Sequence, residues 1–323
     1  MLTCQSQTID LQTHACSQSQ LMLHRIAEGW MKRAKVRREP VELDFDPTQA
    51  DFLEKLLPFC EHPRFQSLSP NDRQKILSCG WLIYNEKTVA IETAIVTPSC
   101  NDALAGQIPG LGGDTFRHII CETLVDEAYH LLLVENANRL TRFHRDLGHI
   151  RVPTFNLVRF MEMEQAGYSE PWQRILIQLA TSVVSEIFVS DYLHQLSDCQ
   201  DIQPMNRATV AAHRHDELAH SKIFTLLAEA FYPALSPVEK AFFAEILPKP
   251  IAWFADMELD VWESVLQQLQ IPGAASIIAD CRPLNANAAL RVDYSGVTEL
   301  ARNLGVLDTA CGQDGFLALG IAA

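Results

Sequence analysis

The chain has 323 residues, 48% of them apolar and only 20% charged, enough to bury a large core, which excludes a disordered or low-complexity protein. A formal net charge of −14 repels a phosphate backbone, and the one basic run, residues 32–38, forms no repeated stripe, so nucleic acid is excluded as a partner. The nine cysteines never form a C-x-x-C pair, which argues against a disulfide framework or thiolate zinc site and for reduced, mostly buried thiols. Apolar runs are too short for a membrane span and the N-terminus lacks a leader pattern, so a cytoplasmic location is expected.

Residues 1–20, rich in Gln and Ser, read as a polar tail, and a short helix from Leu21 to Lys35 follows, from which nothing catalytic is expected. Ser69-Pro70-Asn71-Asp72 is a helix start, and helical apolar spacing continues to Thr97-Pro98, which reads as a stop. A second long helix spans about Asp114 to Arg142. The Gly110-Leu111-Gly112-Gly113 run before it has neither the preceding strand nor the Lys-Ser/Thr of a phosphate loop, and reads as a turn. A third helix begins near Glu170-Pro171 and reaches about Leu196, and a fourth spans about Met205 to Ala230, ended by Tyr232-Pro233.

The long stretch 144–168 joins two helix pairs across the end of a bundle. This predicts an all-α, ferritin-like four-helix bundle, its core at about 70–230, within a helical domain over 21–282. Additional helices at about 236–247 and 250–269 should pack around it. Segment 283–323 mixes Gly, Asn and Asp with short apolar pieces, and its pattern specifies no structure.

At 100 degrees per residue, Phe116, Ile120, Leu124, Leu131 and Val134 share a face with Glu127, and His130 projects from the same side. Glu186 falls among Ile175, Leu179, Val183, Val189 and Leu193. Glu217 is flanked by Val210 and Phe224, with His213 four residues before it and His220 three after, and Glu92 lies with Trp81, Val89, Ile95 and Val96. An ionised carboxylate in such a stripe is strongly unfavourable unless it is paired or binds a metal. One Glu from each of two helices, with a Glu-x-x-His from each of two others, is the di-iron carboxylate pattern. With 21 Glu and 11 His, chance supplies on the order of one Glu-x-x-His, so a single copy carries no weight. Here both copies read Asp-Glu-x-x-His, and each follows a solitary core Glu, by 35 residues from Glu92 to Glu127 and by 31 from Glu186 to Glu217. The competing reading is a set of glutamates neutralised by core histidines and arginines without metal. Asp126 and Asp216 are candidate outer partners that accept from ligand imidazoles and fix their tautomers.

Two histidines suffice for the common plan, and His213 is a third. The set Glu92, Glu127-x-x-His130, Glu186 and His213-x-x-x-Glu217-x-x-His220 resembles the p-aminobenzoate N-oxygenase family, over about residues 71–230. The resemblance implies two iron ions held by Glu92, Glu127, His130, Glu186, His213, Glu217 and His220. It further implies dioxygen as co-substrate, oxygenation of a primary amine to hydroxylamine, nitroso or nitro products in secondary-metabolite biosynthesis, an electron-donor protein, and a homodimer. Family members that hold a free arylcarboxylate use an arginine where this chain has Lys87, a point charge in place of a bidentate fork. An amino acid or arylamine tethered to a carrier protein is therefore an alternative substrate. Tyr84, two turns before Glu92, is a second candidate for the substrate pocket.

His14, His24, His62, His118, His144, His149, His194 and His215 lack a convincing second ligand, and Asp191-x-x-His194 lies off the core face. The alternatives to N-oxygenation are a di-iron hydroxylase or desaturase acting on carbon and a non-catalytic, ferritin-like iron-handling protein.

Overall fold

The computed structural model describes residues 18–38, 44–286 and 288–321, and among them there are helices and a single isolated bridge, Ala50 to Ile202, but no strand. Residues 1–17, which hold most of the expected polar tail with His14, Cys4 and Cys16, lie outside the described residues, as does the side chain of Asp191. Helix α1, Gln18–Arg33, begins three residues earlier than the sequence pattern suggested.

The four long helices are α2 (Pro70–Ile91), α4 (Asp114–His144), α6 (Pro171–Ser197) and α7 (Pro204–Phe231). Ser69 starts α2 as expected, its hydroxyl accepting from the Asp72 amide at 3.1 Å with Pro70 in the first turn. Thr97-Pro98 does not stop the helix. The chain passes through one π-helical turn, Glu92–Val96, and continues as α3, Thr97–Leu104. Pro98 has no amide hydrogen for the Ala94 carbonyl, and the side chain of Gln178 replaces it, donating to Ala94 O at 2.9 Å and Ile95 O at 2.8 Å. Ser182 adds a donor to Ile95 O at 2.9 Å.

Two apolar clusters fill the bundle. One takes Ile91, Phe116, Ile120, Leu176, Val183, Ile223 and Phe231; the other takes Ile76, Trp81, Ala137, Leu193, Met205 and Val210. Along α2 and α7 the second cluster comes first in the chain, and along α4 and α6 the first cluster does. The two pairs therefore run in opposite directions, with α2 and α6 each beside α4 or α7. Joining α4 to the parallel α6 requires a crossover, which contains α5, Asn156–Ala166. The glutamates and histidines of α4 and α7 fall between the clusters, in a polar layer sealed at both ends.

Helix α6 is the one described helix long and apolar enough to cross a membrane, and its flanks are covered by protein. Helices α8 (Pro237–Ile246), α9 (Lys249–Ala255), α10 (Leu259–Gln268) and α11 (Ala274–Asn285) pack around the bundle. The stretch 250–269, expected as one helix, is broken at Asp256–Glu258, where Glu258 adopts φ +52. The segment beyond 283 forms α12 (Ser295–Asn303) and α13 (Ala310–Ala318), and its Val297, Leu300, Val306 and Phe316 join the first cluster. Gly110 takes φ +84 with the Ala230 carbonyl 2.7 Å from where a Cβ would stand, so the turn before α4 needs glycine there. Of the seven described cysteines, Cys79, Cys100 and Cys281 are buried while Cys121 and Cys311 are exposed, fewer buried than the composition suggested.

Candidate metal centre

The bundle carries Glu92, Glu127, His130, Glu186, His213, Glu217 and His220 into one buried layer, each at most 3% exposed. The Nδ1 of His130 lies 3.6 Å from Glu92 Oε1, 3.4 Å from Glu127 Oε2 and 3.2 Å from Glu217 Oε1. His213 Nε2 lies 3.3 Å from Glu92 Oε1 and 3.0 Å from Glu217 Oε1. His220 Nδ1 lies 3.1 Å from Glu127 Oε1 and 3.4 Å from Glu217 Oε1. Two sets of donors converge within 4.8 Å: Glu92, His130, His213 and Glu217, and Glu127, His130, Glu217 and His220. They share His130 and Glu217, an arrangement suited to two adjacent ions. Glu186 enters neither set and stands beside Glu217 as a fourth buried carboxylate.

The electrostatics fit a cation cluster. Burial, with the Glu217 and Glu127 carboxylates, pushes Glu186 well above the ordinary carboxylate range. Burial raises Glu92 to about 7 against the pull of His213. Burial also opposes ionisation of Glu217 and Glu127, yet His220 and the other imidazoles outweigh it and hold both carboxyls below their usual range. Burial disfavours charge on His130 and His220, but the surrounding carboxylates prevail and raise both well above the ordinary histidine value. Protons thus occupy the place of positive charge in the metal-free cluster. Two divalent ions balance four glutamates with neutral histidines.

Orphaned donor atoms point the same way. Glu92 Oε2, Glu186 Oε2 and Glu217 Oε2 are buried with no hydrogen-bond partner, and Glu127 Oε1 and His220 Nδ1 face each other at 3.1 Å without hydrogen-bond geometry. Such groups cost about 1–3 kcal/mol each when left unsatisfied, and a bound metal ion would supply the partner. The mixture of carboxylate and imidazole suits iron or manganese.

Asp126 and Asp216 stand behind the imidazoles, crossed between the two halves of the bundle. Asp126 on α4 meets His220 Nε2 of α7 at 3.3 Å, and Asp216 on α7 lies 3.5 Å from His130 Nε2 of α4. In both rings Nδ1 faces the cluster and Nε2 faces an aspartate, so each carboxylate favours the Nε2–H tautomer that leaves the inner lone pair free.

The sequence pattern missed what holds these aspartates. Trp30 on α1 donates its indole N–H to Asp126 at 3.0 and 2.9 Å, and the Lys35 amide donates to Asp216 at 3.2 and 3.1 Å. The N-terminal helix, expected to be catalytically inert, therefore buttresses the centre. No local signal marks Trp30, because its partner is 96 residues away.

Tyr84 and Lys87 do not join the cluster. They line a separate cavity of about 250 Å³, together with Tyr192, Phe254, Glu258 and Trp262. Tyr84 stacks on Tyr192 at 4.5 Å between ring centroids, and its hydroxyl is buried without a partner. Among the histidines set aside, His24 and His194 form exposed i,i+4 pairs with Glu28 and Asp198, the exposed His118 pairs with the buried Glu122, and His62 meets Asp280 at 3.1 Å.

Comparison with known proteins meets this geometry. The chain is 28% identical to the 4-aminobenzoate N-oxygenase of Streptomyces thioluteus over 292 residues, 88% of this chain and 87% of that protein. A sequence model of the p-aminobenzoate N-oxygenase AurF family matches residues 17–305, from α1 through α12, and so takes in the whole bundle and the aspartate buttresses. The chain belongs to the p-aminobenzoate N-oxygenase AurF family.

Proposed function

We propose that the protein is a di-iron oxygenase that uses dioxygen to convert a primary arylamine to its hydroxylamine, nitroso or nitro product. The observation that carries this reading is the pair of overlapping donor sets sharing His130 and Glu217, in a chain that resembles a 4-aminobenzoate N-oxygenase along nearly its full length. The ligands are Glu92, Glu127, His130, Glu186, His213, Glu217 and His220. Two irons there supply electrons and open coordination positions for dioxygen. The chain's own residues do the rest. Asp126 and Asp216 orient the imidazoles, Trp30 and the Lys35 amide fix the aspartates, and the apolar clusters on either side exclude water. The cavity at Tyr84 and Lys87 receives the amine.

The same reading includes a cytoplasmic enzyme of secondary-metabolite biosynthesis that draws electrons from a donor protein and acts on an amine that is free or tethered to a carrier protein. A homodimer is supported by the exposed Val125 and Leu132 on one face of α4 and by Leu218 on α7. The test is metal analysis of protein produced with iron, followed by mass detection of oxygenated product from arylamines under reductant and oxygen. Two irons per chain with oxygen gained at nitrogen support the proposal. Oxygen gained at carbon would favour a hydroxylase, and iron that turns over no organic substrate would favour an iron-handling protein.

A further inference from the structure

The cavity at Tyr84 and Lys87 has the size and lining for a ring. About 150 Å³ holds benzene in a dry protein cavity, and the 250 Å³ here leaves room for one ring with a substituent. Its wall supplies aromatic faces from Tyr84, Tyr192 and Phe254 and one unpartnered buried hydroxyl, that of Tyr84. Lys87 lies five residues before Glu92 on α2, about 7.5 Å along the helix axis, so the level of the cavity in the bundle is offset from that of the donor cluster by roughly the length of an aromatic amine.

Lys87 is the only cation on that wall, and the protein has already used it. Its Nζ lies 3.4 Å from Glu258 Oε1, donates to Phe254 O at 3.1 Å, and sits over the Phe254 ring 5.2 Å from the centroid. Glu258 is held in place from several sides. Its carboxylate accepts from the Asn156 and Leu157 amides at 2.7 and 3.4 Å, capping α5, and its own amide donates to Asp256 Oδ1 at 2.8 Å. Asp256, also on the wall, is fixed by the side-chain amides of Asn156 at 2.9 Å and Asn285 at 2.7 Å. The backbone at Glu258 is left-handed, a conformation unfavourable for a residue with a side chain that persists here because this network enforces it.

One cation against two carboxylates leaves the wall negative. A substrate carboxylate entering it would lose water, meet Asp256 and Glu258, and find Lys87 engaged. We infer that Glu258 is a specificity-determining residue that takes the place of a substrate carboxylate at Lys87, so that the cavity selects aromatic amines whose carboxyl group is absent or masked as an amide, ester or thioester. This rests on the N-oxygenase reading and narrows its substrate class.

The test compares 4-aminobenzoate with 4-aminobenzamide, in equilibrium binding and in turnover, on the iron-loaded wild type, Glu258→Gln and the double variant Lys87→Gln, Glu258→Gln. Glutamine keeps an acceptor for the Asn156 amide, so α5 remains capped. The wild type is expected to favour the amide over the free acid by at least about tenfold, equivalent to about 1.4 kcal/mol. Glu258→Gln should shift that ratio toward the acid by about tenfold, and the added Lys87→Gln should abolish the shift. A wild type that binds the free acid as well as the amide overturns the inference, without need of any variant. So does a folded, iron-loaded Glu258→Gln with an unchanged ratio. Binding that follows these expectations while neither amine is oxidised would sink the N-oxygenase reading and leave the specificity assignment standing.

Discussion

The two halves of the bundle bring the same Asp-Glu-x-x-His unit to the centre, and they differ one turn before its glutamate, where α4 has Thr123 and α7 has His213. Thr123 donates its hydroxyl to the Ile119 carbonyl at 3.0 Å and so satisfies itself within its own helix. His213 reaches across to Glu92 of the other half. The solitary glutamates differ as well. Glu92 opens a π-helical turn, whereas its counterpart Glu186 sits within the regular helix α6. The departures from two-fold symmetry therefore converge on Glu92, at the end of the cluster where the third histidine sits.

Substitutions can break this comparison or sharpen it. The largest effect is expected from Glu217→Ala, because Glu217 Oε1 approaches all three ligand imidazoles. It should lose both irons, and activity should fall by more than the roughly 100-fold typical of outer-shell losses. His213→Ala should weaken iron binding at the Glu92 end by about 10–100-fold, while Thr123→Ala should leave two irons per chain. Equal metal content in these two variants would show that the halves are not functionally distinct. Asp126→Asn and Asp216→Asn should each lower metal affinity by about tenfold, the first at the donor set that holds His220 and the second at both sets, which share His130.

The pH dependence separates metal from protons. His130 and His220 are raised in the fold, so the stability their imidazolium forms contribute is complete below the ordinary value of 6.5 and is lost as pH climbs through the raised values. Glu92, raised from 4.5 to about 7, contributes a loss that starts lower, above pH 4.5, and is complete once pH has climbed through about 7. The lowered Glu217 and Asp216 act oppositely, contributing above the ordinary carboxylate range and losing that contribution in acid. Metal-free protein should therefore lose stability from about pH 6.5 upward, and the rise in Tm on adding iron(II) should grow from pH 6 to pH 8, because the ligands must shed protons to bind. A Tm gain independent of pH would contradict a proton-filled cluster. The smallest expected effect is that of Trp30→Phe, which keeps the ring and removes one donor to Asp126, and should weaken metal binding by less than the about tenfold expected of Asp126→Asn. Metal titration should show the weakening at His220 before His130, because Trp30 holds Asp126 alone.

Much of the bundle was legible because its signals are local. Ser69-Pro70 caps α2, Tyr232-Pro233 follows α7, and the helical period around Glu127 and Glu186 places each carboxylate inward whatever surrounds it. The misread stop at Pro98 shows the limit. Whether a proline ends a helix depends on who satisfies the carbonyl it abandons, and the answer, Gln178, lies 80 residues away on α6. The break at Asp256–Glu258 has the same origin, since the left-handed Glu258 is stabilised by α5 amides about a hundred residues earlier.

By itself, the sequence determined which residues face the core and which of them carry metal-binding chemistry, because periodicity and residue type are properties of a single helix. The tertiary structure alone decided which groups meet. It crossed Asp126 to His220 and Asp216 to His130, made α1 and the turn after it buttresses of the two aspartates, and engaged Lys87 with Glu258. Each of these is a long-range pairing fixed by how helices dock, and a pairing of that kind leaves no period in the chain.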